Sequence, residues 1–268
     1  MVTVGAMSTG GGLVMLVVVA HPDDETFLSG SLLALAAQRG VRTVVACATR
    51  GEAGTPREGS GITAEGLAAA REAELRAAAA LLGVARVELF SWTDSGMDGE
   101  PQPGTLVATP LDEVAVPVVE LIDAEQPDVI VTLDGSDGHR DHLHIRDATL
   151  IASRRASWKA PRVYLQCLSQ VLMRRWVEAL HSKQPESGHL VLSDLGTPDE
   201  LITTVFDSAS VLELRERAIA LHASQLSPYD VMPPALRRDF LTVERLRRIV
   251  PDWGGGPVET DIFNFESA

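Results

Sequence analysis

The amino-acid sequence predicts an α/β protein with a Rossmann-like three-layer α/β/α sandwich, a mainly parallel sheet and a small C-terminal cap. Two observations indicate this class. Strand-like and helix-like segments alternate as far as about residue 170, and this order produces right-handed βαβ units around a parallel sheet. The first strand-like segment, Leu13 to Ala20, is apolar without polar alternation. Such a run is typical of a strand that is buried on both faces.

Each predicted element has a local signature. The predicted strands are Leu13–Ala20, Val41–Thr49, Val84–Trp92, Asp128–Leu133 and Val163–Ser169, with a short HLVLS strand at 189–193. The predicted helices are Glu25–Arg39, Ala64–Leu82, Leu111–Glu125, a segment that ends near Arg155, Val171–Leu180 and Ser208–Ser224. The first two helices stop just before Gly40 and Gly83, because glycine favours the left-handed conformation that ends a helix. Glycine, proline and small polar residues predict loops at 50–63, 94–109 and 229–239.

The chain length of 268 residues is compatible with one large domain. We expect a flexible leader over residues 1–12, a Rossmann-like catalytic core over 13–170 and a C-terminal α/β cap over 171–268. The cap is expected to pack on the same domain, because the strand–helix alternation weakens beyond Ser169 and no internal repeat is visible.

The charge and cysteine content argue against several partners. The chain has 23 Lys and Arg against 37 Asp and Glu, a formal net charge of −14. This acidity argues against nucleic acid, which is bound through basic patches, and no lysine-rich tract predicts a membrane surface. No basic residue precedes Arg39, so a secretory signal peptide is not expected. The isolated Cys47 and Cys167 fit a reducing cytoplasm, and without a C-x-x-C motif a thiolate metal site is not expected.

Polar clusters follow two of the predicted strands. The first strand leads directly into His21, Asp23 and Asp24, and the strand that ends at Leu133 leads into DGSDGHRDHLH at 134–144. Ligands of open parallel sheets bind outside the carboxyl ends of the strands. If both strands are central, the two clusters therefore face each other at one edge of the sheet.

Residues of the two clusters could bind a divalent metal ion. Neutral imidazole and carboxylate groups suit zinc and similar ions. His21, Asp24 and His142 would offer two nitrogen donors and one oxygen donor, which leaves a coordination position for water. Each cluster also has a simpler interpretation. The HPDDE segment could be a turn followed by a helix N-terminus, and the second cluster could be a solvated loop.

The remaining residues of the clusters suit catalysis. Asp23 would be free to accept a proton from water and to return it to a leaving amine. His139, as an imidazolium or a neutral donor, could stabilise negative charge on a tetrahedral oxyanion. Asp141 could fix the orientation of His139. Neither Asp23 nor His139 is required for metal binding, so their presence favours an enzyme over a binding module.

Two motifs in this order resemble a known family. AHPDDE at 20–25 and H-x-D-H at 139–142 are similar to the LmbE-like, or PIG-L, family of zinc-dependent N-acetylglucosamine deacetylases. Further segments resemble the same family: TRGEAG at 49–54, REAELRAAAALLG at 71–83, TDSGM at 93–97 and HASQ at 222–225. The TDSGM segment is similar to a loop of the actinobacterial mycothiol-pathway branch, and the resemblance spans most of the chain.

The resemblance implies a role for each matching residue. It implies that zinc is ligated by His21, Asp24 and His142, and Fe(II) tolerates the same ligands. It implies that Asp23 is the general base and then the general acid. It implies that His139 stabilises the oxyanion and that Asp141 tunes this histidine.

Two substrate contacts are also implied by the resemblance. Arg71 matches an arginine that contacts the substrate, although it could pair with Glu72 or Glu74 on its own helix. Asp94 matches an acid that holds sugar hydroxyl groups, although it could be a turn residue. Some thiol-pathway members place a tyrosine shortly before the H-x-D-H motif, where this chain has GSDG at 135–138. A tyrosine that assists the oxyanion would have to be one of two residues, Tyr164 and Tyr229.

The predicted function is metal-dependent hydrolysis of the amide of an N-acetylated amino sugar, either a small molecule or a glycoconjugate, to acetate and a free amine. A different metal hydrolase stays open, such as a peptide amidase, an amidase of thiol conjugates or a phosphoesterase. A non-catalytic metal- or carbohydrate-binding protein also stays open. The sequence does not fix the acylated sugar, the metal used in vivo or the oligomeric state, and a homo-oligomer is compatible with it.

Overall fold

The computed structural model describes residues 12–183 and 195–264, which form an α/β fold around a seven-stranded sheet. The strands are β1 (Val14–Val19), β2 (Arg42–Cys47), β3 (Arg86–Leu89), β4 (Val129–Leu133), β5 (Arg162–Gln166), β6 (Thr204–Asp207) and β7 (Val243–Val250). Their order across the sheet is β3-β2-β1-β4-β5-β7-β6. The first five strands pair in parallel, so the predicted fold class is confirmed.

The helices connect these strands and pack on the sheet. They are α1 (Asp24–Phe27), α2 (Gly30–Gln38), α3 (Leu67–Leu81), α4 (Leu111–Glu125), α5 (Arg140–Arg155), α6 (Gln170–Lys183), α7 (Leu212–Ile219) and α8 (Pro234–Leu241). Helices α4 and α5 pack against each other and against β1, and α2 packs against β2. Within the described ranges, none of the helices is both long and apolar enough to cross a membrane.

Strand β1 lies at the topological switch point of the sheet. It pairs with β2 on one side and with β4 on the other, and the chain order runs outward from it in both directions. In such sheets the binding crevice forms where the strand order reverses, outside the carboxyl ends of the strands. The loops that follow Val19 and Leu133 therefore lie at the same crevice.

The strands that carry these loops are fully buried. The side chains from Met15 to Val19 on β1 and from Val129 to Val131 on β4 have no solvent exposure. Burial of apolar surface contributes roughly 25 cal/mol per Å² to folding. The two loops at the crevice are therefore anchored on strands that are buried in the core.

The first predicted helix, 25–39, is divided into α1 and α2 at Leu28 and Ser29. The carbonyl oxygen of Phe27 accepts hydrogen bonds from Nη2 of Arg215 and from the hydroxyl group of Tyr229. Both partners come from the C-terminal third of the chain. No local pattern could therefore predict this break.

The C-terminal third contains elements that the sequence pattern did not predict, among them strands β6 and β7 and helix α8. Strand β7 pairs antiparallel with both β5 and β6, so this part of the chain extends the sheet itself. Helix α8 occupies part of the predicted loop at 229–239. Its prolines do not prevent the helix, because Pro233 is the N-cap residue and Pro234 lies in the first turn, where proline is well tolerated. The predicted helix 208–224 is shorter: α7 follows a 3₁₀ turn at Ala209–Val211. The HLVLS segment and residues 1–11 of the predicted leader lie outside the described residues. The division into core and cap near residue 170 stays a prediction.

Candidate active site

The loops after β1 and β4 bring the two sequence motifs together. Strand β1 ends at Val19 and helix α1 begins at Asp24, so His21 and Asp24 lie directly after the end of the strand. Helix α5 begins at Arg140, which places His142 in its first turn. His139 is the N-cap residue of α5, and its ring accepts a hydrogen bond from a backbone N–H group of the helix. The capping interaction fixes the histidine at the mouth of the crevice.

The three predicted metal ligands contact one another. Nδ1 of His21 lies 3.3 Å from Nε2 of His142 and 3.5 Å from Oδ2 of Asp24. Nε2 of His142 lies 3.2 Å from Oδ1 of Asp24. Donor atoms at about 2.0–2.2 Å from a tetrahedral zinc ion are roughly 3.3–3.6 Å apart. Asp24 approaches His21 with Oδ2 and His142 with Oδ1, so the donor types suit a divalent ion, and the spacing of each pair of residues is near that of zinc ligands.

Two further carboxylates hold the outer nitrogens of these imidazole rings. Oδ2 of Asp137 lies 2.6 Å from Nδ1 of His142, and Oδ2 of Asp141 lies 3.1 Å from Nε2 of His21. Carboxylates behind ligating histidines fix the tautomer and the ring orientation. Asp141 was expected to orient His139, but its carboxylate contacts His21, and only its backbone N–H donates to the His139 ring. Asp137 was not among the predicted site residues, since nothing in its glycine-rich loop distinguishes it from a turn residue.

The carboxylates also determine the charge of the donor group. Burial lowers the pKa of His142, but the charges of Asp24 and Asp137 outweigh this effect and raise it to about 10. Burial raises the pKa of Asp24, but His142 and His21 hold it well below its usual range. The Asp24 carboxylate is therefore ionised. A metal cation bound among these groups would replace the protons on the imidazole rings.

Asp23 lies beside the donor group with a strained backbone. Its φ angle is 110°, which is rare for a residue other than glycine. Its carboxylate makes no helix-capping hydrogen bond, and instead Oδ2 lies 3.0 Å from Nη2 of Arg71. Burial raises the pKa of Asp23 to about 6, against the opposing effect of Arg71. Strain of this kind persists where the surrounding structure enforces it, and it is common at functional sites.

Arg71 stabilises the loop that carries Asp23. Its guanidinium group donates to the carbonyl oxygen atoms of Gly51 and Pro22, and it is 5% exposed. The simpler interpretation, a pair with Glu72 or Glu74 on the same helix, is wrong. Glu72 pairs with Arg50 and Arg76, and Glu74 accepts hydrogen bonds from Ser224.

His139 packs against both histidines of the donor group. Its ring lies 4.5 Å from the ring of His21 in an edge-on arrangement and stacks at 4.8 Å on the ring of His142. Burial and the neighbouring imidazoles lower the pKa of His139 to about 4. Because Nδ1 accepts the hydrogen bond from the N–H of Asp141, the proton of the neutral ring resides on Nε2. His139 is therefore a neutral hydrogen-bond donor at neutral pH.

Asp94 approaches the same site from the loop after β3. Its Oδ1 lies 3.5 Å from Nε2 of His21 and accepts a hydrogen bond from the N–H of Gly96. The hydrogen bonds and charge of His21 lower the pKa of Asp94 well below its usual range, although burial opposes this shift. His21 belongs to two groups of three potential metal-binding residues, and in each group the donor atoms lie within 4.8 Å of one another. One group contains His139 and His142, and the other contains Asp94 and Asp141.

These side chains line a cavity of about 240 Å³, here called the polar cleft. Its lining includes seven of the eight predicted site residues: His21, Asp23, Asp24, Arg71, Asp94, His139 and His142. Asp141 lies behind His21. Neither tyrosine lines the polar cleft. The hydroxyl group of Tyr164 faces Glu259, and that of Tyr229 donates to Phe27.

The fold and the donor group define a Rossmann-like α/β protein with a candidate metal site at its switch point. The sequence profile of the PIG-L family, described as GlcNAc-PI de-N-acetylase, matches residues 16–153, and the chain belongs to this family. A relative from Saccharopolyspora erythraea is named 1D-myo-inositol 2-acetamido-2-deoxy-alpha-D-glucopyranoside deacetylase 1. The alignment is 35% identical over 240 residues and covers 79% of this chain and 77% of the relative. The resemblance seen in the sequence motifs is therefore confirmed.

Solved structures share the fold at low sequence identity. The N,N'-diacetylchitobiose deacetylase from Pyrococcus horikoshii is 20% identical with a TM-score of 0.57, covering 88% of this chain and 83% of that one. The 4-carboxy-2-hydroxymuconate hydratase from Pseudomonas putida KT2440 is 22% identical with a TM-score of 0.61, covering 91% and 99%. The fold thus serves a hydratase as well as a deacetylase, so the chemistry must be argued from the site.

Proposed function

We propose that this protein is a metal-dependent deacetylase that hydrolyses the amide of an N-acetylated amino sugar of the glucosamine type. The observation that carries the proposal is the carboxylate of Asp23, which lies in the polar cleft beside the donor group of His21, Asp24 and His142. The name of the S. erythraea relative, a deacetylase of an acetamido sugar linked to inositol, supports the same substrate class.

Zinc is the proposed ion, and Fe(II) tolerates the same donors. His21, Asp24 and His142 would hold it, with Asp141 and Asp137 orienting the two imidazole rings. When bound, the ion would polarise the amide carbonyl group and lower the pKa of a water molecule.

Asp23 would move the proton. Its carboxylate would accept a proton from the attacking water while the new C–O bond forms, and it would deliver that proton to the nitrogen as the C–N bond breaks. The ion pair with Arg71 at 3.0 Å would hold Asp23 in the geometry that both transfers need. The products are acetate and a free amino sugar.

His139 would stabilise the charge that develops on the carbonyl oxygen. As a neutral imidazole, it would donate its Nε2–H to the oxyanion, and a preformed donor of this kind is worth roughly 100- to 1,000-fold in kcat. Asp94 is proposed to accept hydrogen bonds from sugar hydroxyl groups at the other side of the polar cleft. We also propose a reducing cytoplasmic location, which the buried free thiols of Cys47 and Cys167 support.

The test is amine release by the metal-loaded protein from N-acetylglucosaminyl-inositol, N,N'-diacetylchitobiose and N-acetylglucosamine. Asp23→Asn should reduce kcat by at least about 100-fold while the bound metal stays stoichiometric. Asp112→Asn is the matched control, because Asp112 is 69% exposed and pairs only with Arg155 in the described structure. Near-normal activity of Asp23→Asn would refute the assigned role. Hydrolysis of p-nitrophenyl phosphate without amine release would favour a phosphoesterase.

A further inference from the structure

A second cavity borders the donor group on its apolar side. It has a volume of about 230 Å³ and is here called the apolar chamber. Its walls are built mainly by six side chains: Phe27, Leu168, Met173, Trp176, Met232 and Phe240. Asp24 and His142 line both the apolar chamber and the polar cleft. The two cavities therefore meet at two of the three proposed metal ligands.

The walls of the apolar chamber offer few polar groups to a ligand. The Trp176 indole N–H donates to the carbonyl oxygen of Pro228 at 3.0 Å, and the Tyr229 hydroxyl group donates to that of Phe27. The carboxylate of Asp137 is engaged by His142. Because these polar atoms already have partners, the surfaces left for a ligand are aromatic faces and methionine side chains. Such surfaces favour an aliphatic group.

The direction of the amide in the proposed reaction decides which part of the substrate can enter the apolar chamber. Asp23 must reach the leaving nitrogen, and it lines the polar cleft but not the apolar chamber. The nitrogen and its sugar therefore lie in the polar cleft, with Arg71 and Asp94. The acyl substituent of the carbonyl carbon points away from the nitrogen, and the apolar chamber is the adjoining space at Asp24 and His142.

We infer that the apolar chamber is an acyl-chain subsite and that the preferred substrate carries an N-acyl group longer than acetyl, of about six carbons. This inference rests on the proposed amide hydrolysis and adds its acyl specificity. An apolar cavity of roughly 150 Å³ binds benzene, which has six carbons. The apolar chamber is larger than this and much larger than the methyl group of an acetamide requires.

Chain-length dependence of KM tests the inference. Each fully buried methylene improves binding roughly fourfold, and the acyl chain contacts the protein equally in ground and transition states. N-hexanoylglucosamine should therefore show a KM at least about tenfold below that of N-acetylglucosamine, with a similar kcat. Met173→Trp fills the apolar chamber and should abolish this ratio. The matched control is Val171→Trp, which adds the same bulk to α6 at a residue that is 55% exposed.

A binding measurement gives an answer that does not depend on turnover or on one variant. Calorimetric titration of the metal-loaded protein should give a dissociation constant for hexanoate at least about tenfold below that for acetate, since both acids share the carboxylate and differ in four methylenes. Met232→Phe, a smaller change in a different wall, should reduce this difference if Met173→Trp does not fold.

The outcomes separate the acyl-chain subsite from the proposed function. Equal KM values for the two amides, or failure to hydrolyse the hexanoyl amide while the acetyl amide is hydrolysed, would overturn the subsite alone. Tighter binding of hexanoate without hydrolysis of either amide would refute the deacetylase and with it the acyl specificity, and it would leave the apolar chamber only as a site for an aliphatic carboxylate. Octyl N-acetylglucosaminide tests the other candidate occupant, an apolar aglycone. If its KM is lower than that of N-acetylglucosamine, if Met173→Trp removes this difference, and if the hexanoyl amide shows no lower KM, the apolar chamber binds an aglycone and the acyl-chain subsite is refuted.

Discussion

Asp137→Asn should weaken metal binding without removing a metal ligand. The carboxylate of Asp137 lies 2.6 Å from Nδ1 of His142 and is 22% exposed, so solvent screens the interaction only weakly. The asparagine keeps the size and an acceptor oxygen but loses the charge. Carboxylates behind ligating histidines change metal affinity by about 10- to 100-fold when they are replaced, which corresponds to about 1.4–2.7 kcal/mol.

Competition against a chromophoric chelator measures this effect directly on folded protein. The dissociation constant for zinc should rise by at least about tenfold in Asp137→Asn, whereas His142→Ala should lose stoichiometric binding altogether. Asp112→Asn again controls for the loss of one negative charge from a strongly acidic chain, since the net charge of −14 itself attracts cations. Thermal unfolding of the metal-free proteins establishes that the variants are folded. A dissociation constant for Asp137→Asn within twofold of the wild-type value would refute the role of this carboxylate.

Two further predictions concern residues that support the site. Gly51→Ala would bring a Cβ to 2.0 Å from Nη1 of Arg71 and displace the guanidinium group from Asp23, so amine release should fall by about tenfold or more with the metal retained. Gly99→Ala is the control, because Gly99 also has a positive φ angle but no heavy atom lies within 4 Å of the added Cβ. Equal activity losses in the two variants would contradict the role of Arg71. Arg215→Met leaves Glu244 buried without its ion-pair partner and should lower the free energy of unfolding by about 3–5 kcal/mol. Arg39→Met removes an ion pair in which Arg39 is 46% exposed and should cost less than about 1 kcal/mol, so similar denaturant midpoints for the two variants would refute this difference.

The central part of the fold was predictable because few physical rules determine it. Alternating strands and helices require a parallel sheet, and a strand that is apolar throughout must be buried on both faces. The carboxyl ends of β1 and β4 then share one crevice, so the convergence of His21, Asp24 and His142 follows from the position of each residue relative to its strand. The structure brings these three residues together, and their roles as ligands stay predictions.

The remaining features depend on contacts between distant parts of the chain. Strand β7 has a buried Glu244 on the same face as the buried Leu246, where a strand pattern requires an apolar residue. This carboxylate is tolerated in the core because Arg215 lies 3.1 Å from it. Asp137 reaches His142 through a loop in which Gly135 and Gly138 have φ angles of 71° and 89°. Sequence spacing alone cannot convey either arrangement.

The two cavities differ in which part of the chain builds them. The family profile covers residues 16–153, a range that includes the whole donor group, Asp23 and the lining of the polar cleft. The side chains that close the apolar chamber from the C-terminal part, Met173, Trp176, Met232 and Phe240, all lie beyond that range. Substitutions there can change the shape of the apolar chamber without moving the donor atoms, because α6 and α8 pack against each other in an apolar cluster distinct from the main core. Because the family profile ends before these wall residues, the acyl specificity proposed for this chain would depend on residues outside the matched range. Exchange of the C-terminal wall residues should therefore change the KM for the acyl chain much more than kcat.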